Sequence, residues 1–360
     1  MARIAFQGLG HSYRPDPKAP SDWALRPMDM VFEDAGAYAL LGPSGCGKTT
    51  LLNIVSGLLR PSRGRVLFNG QDVTPLPTAR RDVAQVFQFP VVYDTMTVRE
   101  NLAFPLRNHG VPAKDAARRV EEIAGLLGLT GRLDRRARNL GADDKQKISL
   151  GRGLVRPGVA ALLFDEPLTV IDPHLKWELR SRMKELHRRV PVTMIYVTHD
   201  QTEALTFADR VVVMAEGEVV QIGTPEALFD RPAHTFVGHF IGSPGMNLLP
   251  CAAVEGRNAV LAGGQAVPLS RLYPALPAGS RIELGIRPEF AEVAELGLPV
   301  RIRRVEDLGR RRIARVELGG VPLAATLPEG VAIGGEEARI RLDPARIHLY
   351  ADGRLVEGEA

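Results

Sequence analysis

The stretch Gly42-Pro43-Ser44-Gly45-Cys46-Gly47-Lys48-Thr49 decides the fold of this chain. It matches G-x-x-x-x-G-K-[ST] in full, a pattern whose backbone N–H groups cradle a polyphosphate. A short apolar run, Ala37 to Leu41, precedes the loop, and Thr49 to Leu59 follows it with apolar residues at helical spacing. This order of strand, loop and helix predicts a nucleotide-binding α/β domain, whereas a glycine-rich turn without a ligand is the plainer alternative.

Each polar residue of the loop has a chemical reason to be there. Glycines let the backbone approach phosphates closely, and the following helix points its positive end at them. Lys48 supplies a charge for the β- and γ-phosphates, and the Thr49 hydroxyl can ligate Mg²⁺. Cys46 is expected to be a small filler, not a nucleophile. The residues expected to bind ATP are Gly42, Pro43, Ser44, Gly45, Cys46, Gly47, Lys48, Thr49 and Thr50.

Two further apolar runs end in groups suited to hydrolysis. Leu162 to Phe164 is followed by Asp165, which would reach Mg²⁺ directly or through water, and by Glu166, which would act as general base. Val192 to Val197 is followed within two residues by His199. Both runs read as buried parallel strands, and ligands gather at the carboxyl ends of such strands. Taken singly, His199 could equally be a bystander beside a helix cap.

Composition sets the broad class. The chain has 360 residues, enough for two domains at about 150 residues each, and 45% are hydrophobic and 24% charged, as in ordinary globular proteins. A formal charge of +4 is too weak a bias to indicate a nucleic-acid partner. Two distant cysteines make no disulfide framework. Residues 1–8 lack the apolar core of a signal peptide, and no run approaches about 18 apolar residues, so we expect no membrane-spanning helix.

The character of the sequence changes after Gly242-Ser243-Pro244-Gly245. Before it, short apolar strands alternate with amphipathic helices. After it, helices nearly vanish and short alternating runs such as 312–318 and 338–342 are punctuated by Gly and Pro. We therefore predict two domains, residues 1–240 and 241–360, of which the second is a small all-β domain of barrel type.

The order and spacing of these motifs resemble ATP-binding-cassette (ABC) ATPases over about the first 240 residues. That resemblance implies a mixed sheet with a helical subdomain, and it assigns four further roles. Tyr13 sits where the family stacks an aromatic ring on adenine. Gln88 is similar to the glutamine that touches Mg²⁺ and the lytic water and contacts the membrane partner. Asp172 resembles the D-loop aspartate, and His199 the switch histidine that contacts the γ-phosphate.

The later part of the chain narrows the resemblance. Leu284-Gly285-Ile286-Arg287-Pro288-Glu289 and the β-rich tail look like the OB-type regulatory domain of carbohydrate and glycerol-phosphate importer ATPases. The resemblance implies a peripheral subunit at the cytoplasmic face of the inner membrane. Its partners would be two membrane-spanning permease subunits, a second ATPase subunit and an extracytoplasmic solute-binding protein. The tail would serve dimer contact and regulation, and glycerol is the best guess for the solute.

The chain departs from the family at its signature. The family has Leu-Ser-Gly-Gly-Gln at a helix start, which caps the γ-phosphate bound by the opposite subunit. The matching residues here are Leu140, Gly141, Ala142, Asp143 and Asp144. Gly141 removes the hydroxyl donor, and Asp143 puts a carboxylate where a triphosphate should dock. Two such charges a few ångströms apart repel by about 4 kcal/mol at an effective dielectric of 20.

Two interpretations of this departure stay open. In one, Lys145 and Lys147 offset the charge and a homodimer works. In the other, the motor is asymmetric, and this chain uses an intact signature supplied by an unlike second ATPase. The segment 141–147, together with 171–177, looks like one subunit of bacterial glycerol importers that pair two unlike ATPases. A glycerol-3-phosphate or oligosaccharide importer, a non-transport ABC ATPase and a non-hydrolysing regulatory subunit are the alternatives.

Overall fold

The computed structural model describes residues 2–156, 158–189, 192–307, 309, 312–328 and 335–359. The chain forms two compact units, Met1–Pro225 and Glu226–Ala360. The domain boundary that we predict near residue 240 stays a prediction. Within the described ranges, every helix is too short or too polar to span a bilayer.

The first unit contains two sheets. A small antiparallel sheet has the order β2-β1-β4-β5. A larger sheet has the order β10-β9-β3-β8-β7-β6, in which β9, β3, β8, β7 and β6 run parallel and β10 is antiparallel. The strands are β1 (Ile4–His11), β2 (Leu25–Phe32), β3 (Ala37–Leu41), β4 (Arg63–Phe68), β5 (Gln71–Asp72), β6 (Val83–Val86), β7 (Ala161–Asp165), β8 (Thr193–Thr198), β9 (Arg210–Ala215) and β10 (Glu218–Gly223). The predicted mixed sheet and its parallel central strands are confirmed.

The described residues form eight α-helices. They are α1 (Lys48–Ser56), α2 (Val98–Asn108), α3 (Ala113–Leu126), α4 (Ala142–Leu154), α5 (Pro173–Arg189), α6 (Gln201–Phe207), α7 (Pro225–Asp230) and α8 (Thr235–Phe240). Helices α2, α3 and α4 pack on one another between β6 and β7 in the chain. They form the expected helical subdomain, whereas α1 packs against β6, β7 and β8 of the large sheet.

The core of the first unit fixes where the large sheet ends. Every residue of β3 and β8 is buried, as expected for parallel strands covered on both faces. Leu51, Leu52 and Val55 of α1 belong to the same apolar cluster as Leu40 and Ile195 of the sheet. The helix after the glycine loop is therefore held against the sheet by burial along one face, and its N-terminus stays next to the strand ends.

The second unit is built almost entirely from strands. One sheet has the order β13-β12-β11-β14-β20-β21, and β15-β18-β17-β16-β19 close into a barrel, as the alternating pattern predicts. The strands are β11 (Asn247–Glu255), β12 (Asn258–Leu261), β13 (Ala266–Pro268), β14 (Ile282–Ile286), β15 (Ala291–Ala294), β16 (Leu298–Asp307), β17 (Arg312–Leu318), β18 (Val321–Leu327), β19 (Glu337–Leu342), β20 (His348–Ala351) and β21 (Arg354–Val356).

A buried arginine joins the helices and the strands of this unit. The guanidinium of Arg287, next after β14, donates to the carbonyl oxygens of Phe229 and Ile241 at 2.6 Å each. It also donates to the carbonyls of Leu228 at 3.4 Å and Gly238 at 3.5 Å, and it lies 3.8 Å from the centre of the Phe229 ring. Burial lowers the pKa of Arg287. These bonds satisfy carbonyls at the ends of α7 and α8 that have no partner within their own helices.

Arg287→Met should destabilise the second unit by about 2–4 kcal/mol, because several buried carbonyls lose a charged donor at once. Arg287→Lys should recover little, since one ammonium cannot replace a planar fork. Equilibrium unfolding in urea measures both. Arg346→Met is the control: Arg346 also lies on a ring, that of Phe290 at 4.7 Å, but it is exposed. An equal effect of the two Met variants would contradict the assigned role of Arg287.

Candidate active site

Three parallel strands bring the site residues to one edge of the large sheet. The glycine loop follows β3, Asp165 ends β7 with Glu166 directly after it, and His199 follows β8. Strand β8 lies between β3 and β7, in the same direction as both. The predicted groups therefore meet at the carboxyl ends of adjacent strands, where ligands bind in such sheets.

The loop between β3 and α1 can only be built with glycine at particular positions. Gly47 has φ of 102°, and a Cβ there would lie 2.4 Å from the carbonyl oxygen of Ala24. A Cβ on Gly42 would lie 2.2 Å from the carbonyl oxygen of Met214. The loop is thus pressed against its surroundings on its inner side, and its outer side is left to backbone N–H groups and the start of α1.

Lys48 is a buried cation held by the loop itself. Its ammonium donates to the carbonyl oxygens of Gly42 at 2.8 Å and Pro43 at 2.9 Å. In the described part of the chain, no acidic side chain forms an ion pair with Lys48. A buried ammonium without an anionic partner is costly, so the site favours a ligand that brings negative charge. Burial raises the pKa of the neighbouring Cys46 thiol, which agrees with a filler and not a nucleophile.

Thr49 and Asp165 offer hard oxygen ligands side by side. The Thr49 hydroxyl donates to Asp165 Oδ1 at 3.2 Å. Burial raises the pKa of the Asp165 carboxyl, so its negative charge would gain from a nearby cation. Among the described residues, no group of three or more His, Cys, Asp or Glu could hold a metal ion. A hydroxyl and one carboxylate fit Mg²⁺ that takes its other ligands from water and substrate phosphates.

Glu166 stands at the centre of the polar groups. His199 Nδ1 lies 3.1 Å from Glu166 Oε1, and Gln88 Nε2 donates to Oε2 at 3.4 Å. The backbone of Glu166 has φ of 46°, a left-handed conformation that is rare for a residue with a side chain. The Thr169 hydroxyl, which sequence reasoning did not single out, donates to the Glu166 carbonyl at 3.0 Å. The structure thus brings together Glu166, His199 and Gln88, whereas a metal contact of Gln88 stays a prediction.

Tyr13 lies exposed next to the start of α1. Its hydroxyl is 3.3 Å from Thr50 Oγ1, which connects two residues predicted to contact the nucleotide. The ring of His11 meets the Tyr13 ring edge-on, with 4.6 Å between the ring centres. Sequence reasoning missed His11, although it is an inward-facing residue at the end of β1. Burial lowers the pKa of His11, so a neutral imidazole supports the Tyr13 ring at neutral pH.

The residues that match the signature start α4. Gly141 is the N-cap and Ala142 the first helical residue, and no side chain caps the helix. A Cβ on Gly141 would meet nothing within 4 Å. Asp143 forms an ion pair with Lys147 on the same helix at 2.7 Å. Leu140, Gly141, Ala142, Asp143 and Asp144 have no hydrogen bond or ion pair to residues 42–49 within the described ranges.

Asp172, which the sequence predicts as a site residue, caps the start of a helix, and Gln146, which it did not predict, joins a helix to two loops. Asp172 precedes α5, and its carboxylate accepts from the His174 amide at 2.9 Å. Gln146, buried in α4, donates to the carbonyls of Pro167 at 2.7 Å and Phe87 at 3.3 Å. Gln146 therefore links α4 to Phe87, the residue before Gln88, and to Pro167, the residue after Glu166. Its sequence signal was its place just after the signature.

Comparisons with known proteins agree with this geometry. Residues 25–169 match the family model described as ABC transporter, and residues 242–290 match the one described as MalK OB fold domain. The chain is 38% identical to the sulfoquinovosyl glycerol transport ATP-binding protein SmoE of Agrobacterium fabrum, covering 97% of this chain and 98% of that protein. It is 39% identical to the sn-glycerol-3-phosphate import ATP-binding protein UgpC of Paracoccus denitrificans, covering 99% and 100%.

A solved structure supports the fold. The ATP-binding cassette MJ0796, determined as a dimer in a post-hydrolysis state bound to ADP and Pi, aligns with a TM-score of 0.55 and 23% identity. The alignment covers 62% of this chain and 98% of that one. The likeness therefore concerns the nucleotide-binding fold and not the β-rich unit as a whole.

Asp165→Asn should raise the thermal stability of the free protein and abolish its extra stabilisation by MgATP. Burial raises the pKa of the Asp165 carboxyl, so folding favours the protonated form. Its contribution is therefore most favourable below the unfolded pKa and is lost as pH rises through the folded one, which leaves a penalty at neutral pH. The amide removes that penalty but is a poorer ligand for Mg²⁺.

Thermal unfolding at pH 7, with EDTA or with Mg²⁺ and ATP, measures both effects. Asp134→Asn is the matched control, because Asp134 is an exposed carboxylate in the same unit. A free Asp165→Asn protein less stable than wild type, or one still stabilised fully by MgATP, would contradict the assignment.

Proposed function

The chain belongs to the ATP-binding subunits of ABC transporters, and on that premise we propose that it couples hydrolysis of MgATP to import of a small polyol, glycerol-phosphate or sugar-type solute. The observation that carries the proposal is the position of Glu166. Its carboxylate lies 3.1 Å from His199 and 3.4 Å from Gln88, beside the loop that holds Lys48. A base, a cation and two polar positioning groups at one sheet edge suit attack of water on a terminal phosphate.

The chemical step assigns one role to each residue. Glu166 takes a proton from water, whose oxygen attacks the γ-phosphorus, and the bond to the β–γ bridging oxygen breaks to give ADP and phosphate. Lys48 and the loop N–H groups stabilise the charge on the β- and γ-oxygens, and His199 donates to a γ-oxygen. Gln88 orients the water. Thr49 and Asp165 would hold Mg²⁺, which supplies charge neutralisation when bound.

The nucleotide base is expected to stack on Tyr13, whose exposed ring is fixed by Thr50 and His11. An aromatic face binds a base through stacking, and loss of one such contact costs about 1–3 kcal/mol in nucleic-acid complexes. The N–H groups of 42–47 and the side chains of Lys48 and Thr49 then receive the phosphates. This order places the γ-phosphate on the side of Glu166.

Transport would require membrane partners. We place the chain at the cytoplasmic face of the inner membrane, bound to two permease subunits that receive solute from an extracytoplasmic binding protein. The segment after Gln88 offers an apolar surface, because Phe89, Val91 and Tyr93 are exposed. Large exposed apolar side chains close together mark interaction sites. Movement of this segment would pass changes at Glu166 to the permease.

Two observations favour import over the alternatives of a non-transport ABC ATPase and a non-hydrolysing regulatory subunit. Residues 242–290 of the β-rich unit match the MalK OB fold domain, and the relatives named for transport and import align along nearly their full lengths. A non-hydrolysing regulatory subunit would not need Glu166 between His199 and Gln88. The relatives are named for sn-glycerol-3-phosphate and for sulfoquinovosyl glycerol, which supports a glycerol-phosphate type of solute; neither name contains the free glycerol that the sequence suggests.

Glu166→Gln should bind MgATP with near wild-type affinity but lower turnover by about 100-fold or more, because no carboxylate accepts the water proton. The measurement is phosphate release by the complex with its permease subunits in vesicles. Solute-binding protein loaded with glycerol or with glycerol-3-phosphate is added to see which one stimulates release.

The exposed Glu218→Gln is the control for a carboxylate-to-amide change in the same unit and should hydrolyse normally. Normal turnover by Glu166→Gln would remove Glu166 as the base. Stimulation by neither loaded binding protein would exclude both glycerol compounds as the solute.

The second ATPase subunit is a separate question, and the first turn of α4 bears on it. Lys147 neutralises part of the Asp143 charge, whereas Lys145 pairs with Asp94 at 2.8 Å and not with the signature. Asp143 still occupies the first turn, where a helix attracts anions such as a phosphate. We infer an unlike partner from this feature alone; the comparisons lend it no support, and a homodimer remains the competing arrangement.

Restoring the signature by Gly141→Ser with Asp143→Gly should raise the ATPase rate of the purified chain alone by about 10-fold or more, because a γ-phosphate donor returns and a like charge leaves. The structure has room for the serine Cβ. Asp144→Asn is the control, because Asp144 lies in the same helical turn as Asp143 but forms an ion pair with Arg132, outside the helix. High activity of the unaltered homodimer, with no gain on restoration, would eliminate the asymmetric arrangement.

A further inference from the structure

The carboxylate of Glu203 is buried in α6, outside the site residues discussed so far. Its Oε2 accepts hydrogen bonds from the hydroxyls of Thr198 at 2.8 Å and Tyr196 at 3.0 Å. The ammonium of Lys176 lies 3.7 Å from its Oε1. A buried charge is tolerated only when it is paired and hydrogen-bonded. The side chains that contact this carboxylate come from β8, which His199 follows, and from α5, which Asp172 precedes.

The Thr198 hydroxyl connects Glu203 to the turn that contains His199. Thr198 Oγ1 donates to Glu203 and accepts from the amide of Asp200 at 3.0 Å, so it fixes the main chain on both sides of His199. Asp200 in turn caps α6 by accepting from the Thr202 amide at 2.7 Å. The His199 side chain is largely exposed, and its Nδ1 lies 3.1 Å from Glu166 Oε1. Its position is therefore set by its backbone.

Lys176 connects Glu203 to the loop that contains Asp172. The Lys176 amide donates to the Asp172 carbonyl at 3.0 Å in the first turn of α5. The other end of the residue, its ammonium, lies against Glu203. The start of α5 and the end of β8 are thus linked through one carboxylate.

We propose that Glu203 is a positioning residue that ties the turn of His199 to the loop of Asp172. The inference rests on the proposed function, because that function gives His199 its contact with the γ-phosphate; Asp172 enters through its resemblance to the D-loop aspartate. A displacement of about 1 Å at such a group can lower a rate by about 100-fold. A single buried carboxylate then keeps both loops in the geometry that hydrolysis needs.

Tyr196 takes part in this network as a hydrogen-bond donor. Burial, followed by the charge of Glu203, raises the pKa of Tyr196 well above its usual value, so the phenol keeps its proton and donates. The buried guanidinium of Arg180, one turn beyond Lys176 in α5, acts in the opposite direction on Tyr196.

The two hydroxyls on Glu203 Oε2 allow a matched test. Thr198→Val and Tyr196→Phe each remove one buried donor to the same oxygen, but only Thr198 also holds the turn of His199. Thr198→Val should lower kcat by about 10- to 100-fold and leave the Kd for MgATP within about twofold. Tyr196→Phe should lower Tm by as much as Thr198→Val does, yet keep kcat within about threefold of wild type. Thr198→Ser, which keeps the hydroxyl, should recover turnover.

The measurements are kcat, Kd for MgATP and Tm, made on the chain in its permease complex. Equal loss of kcat in Thr198→Val and Tyr196→Phe would show general loosening of the core and overturn the proposal. Unchanged kcat in Thr198→Val would overturn it as well. If Thr198→Val is normal while Glu166→Gln is inactive, only the positioning role of Glu203 fails; if Glu166→Gln is active, the proposed function fails.

A double-mutant cycle tests the link to Asp172. Glu203→Gln keeps an oxygen for the two hydroxyls but places an amide against Lys176, and Lys176→Met removes the ammonium. The two should lower kcat by similar factors, and the double variant should be no slower than either alone, because both break one interaction. Fully multiplicative losses, or wild-type kcat in both single variants, would contradict the link between the loops.

Discussion

The structure depends on one constraint, the parallel order of β3, β8 and β7 with their carboxyl ends at a common edge. Each strand delivers a different chemical group there: the glycine loop with Lys48, the histidine turn, and the pair Asp165 and Glu166. Every residue of β3 and β8 is buried, so close packing on both faces holds the register: a slip by one residue would force each side chain into space shaped for another. The geometry of the site follows from the packing of the sheet.

Charge at this edge is arranged for a ligand that is both anionic and accompanied by a cation. Lys48 is a buried cation that donates to two carbonyls and to the Cys46 sulfur but to no carboxylate among the described residues, and Asp165 is a carboxylate disfavoured by burial. A triphosphate with Mg²⁺ improves the environment of both groups at once. Glu166 differs, because His199 and Gln88 already contact its two oxygens. The carboxylate that we propose as the general base is therefore oriented by two side chains of its own chain.

The signature and the Glu203 network affect the same reaction in different ways. Asp143 changes which anion the start of α4 favours, and Lys147 limits the effect. Glu203 changes no charge at the nucleotide but holds the main chain that presents His199. The first bears on the contact that we propose with a second subunit, and the other bears on the geometry within one chain. The two effects differ in what they change: the signature affects the ATPase rate of the chain on its own, whereas the Glu203 network affects kcat without changing the Kd for MgATP.

The sequence by itself determined the nucleotide loop, the strands that end in Asp165 and His199, and the change to an all-β second unit, because these depend on local patterns: glycine spacing, apolar runs and alternation. Helix ends were less well determined; the helix expected to reach Leu59 ends at Ser56, since Gly57 adopts a left-handed backbone. Only the tertiary structure decided that Lys147 and not Lys145 pairs with Asp143, that His11 supports Tyr13, and that Glu203 joins two loops. Such contacts depend on where distant or equally spaced side chains point, which packing settles and sequence spacing does not.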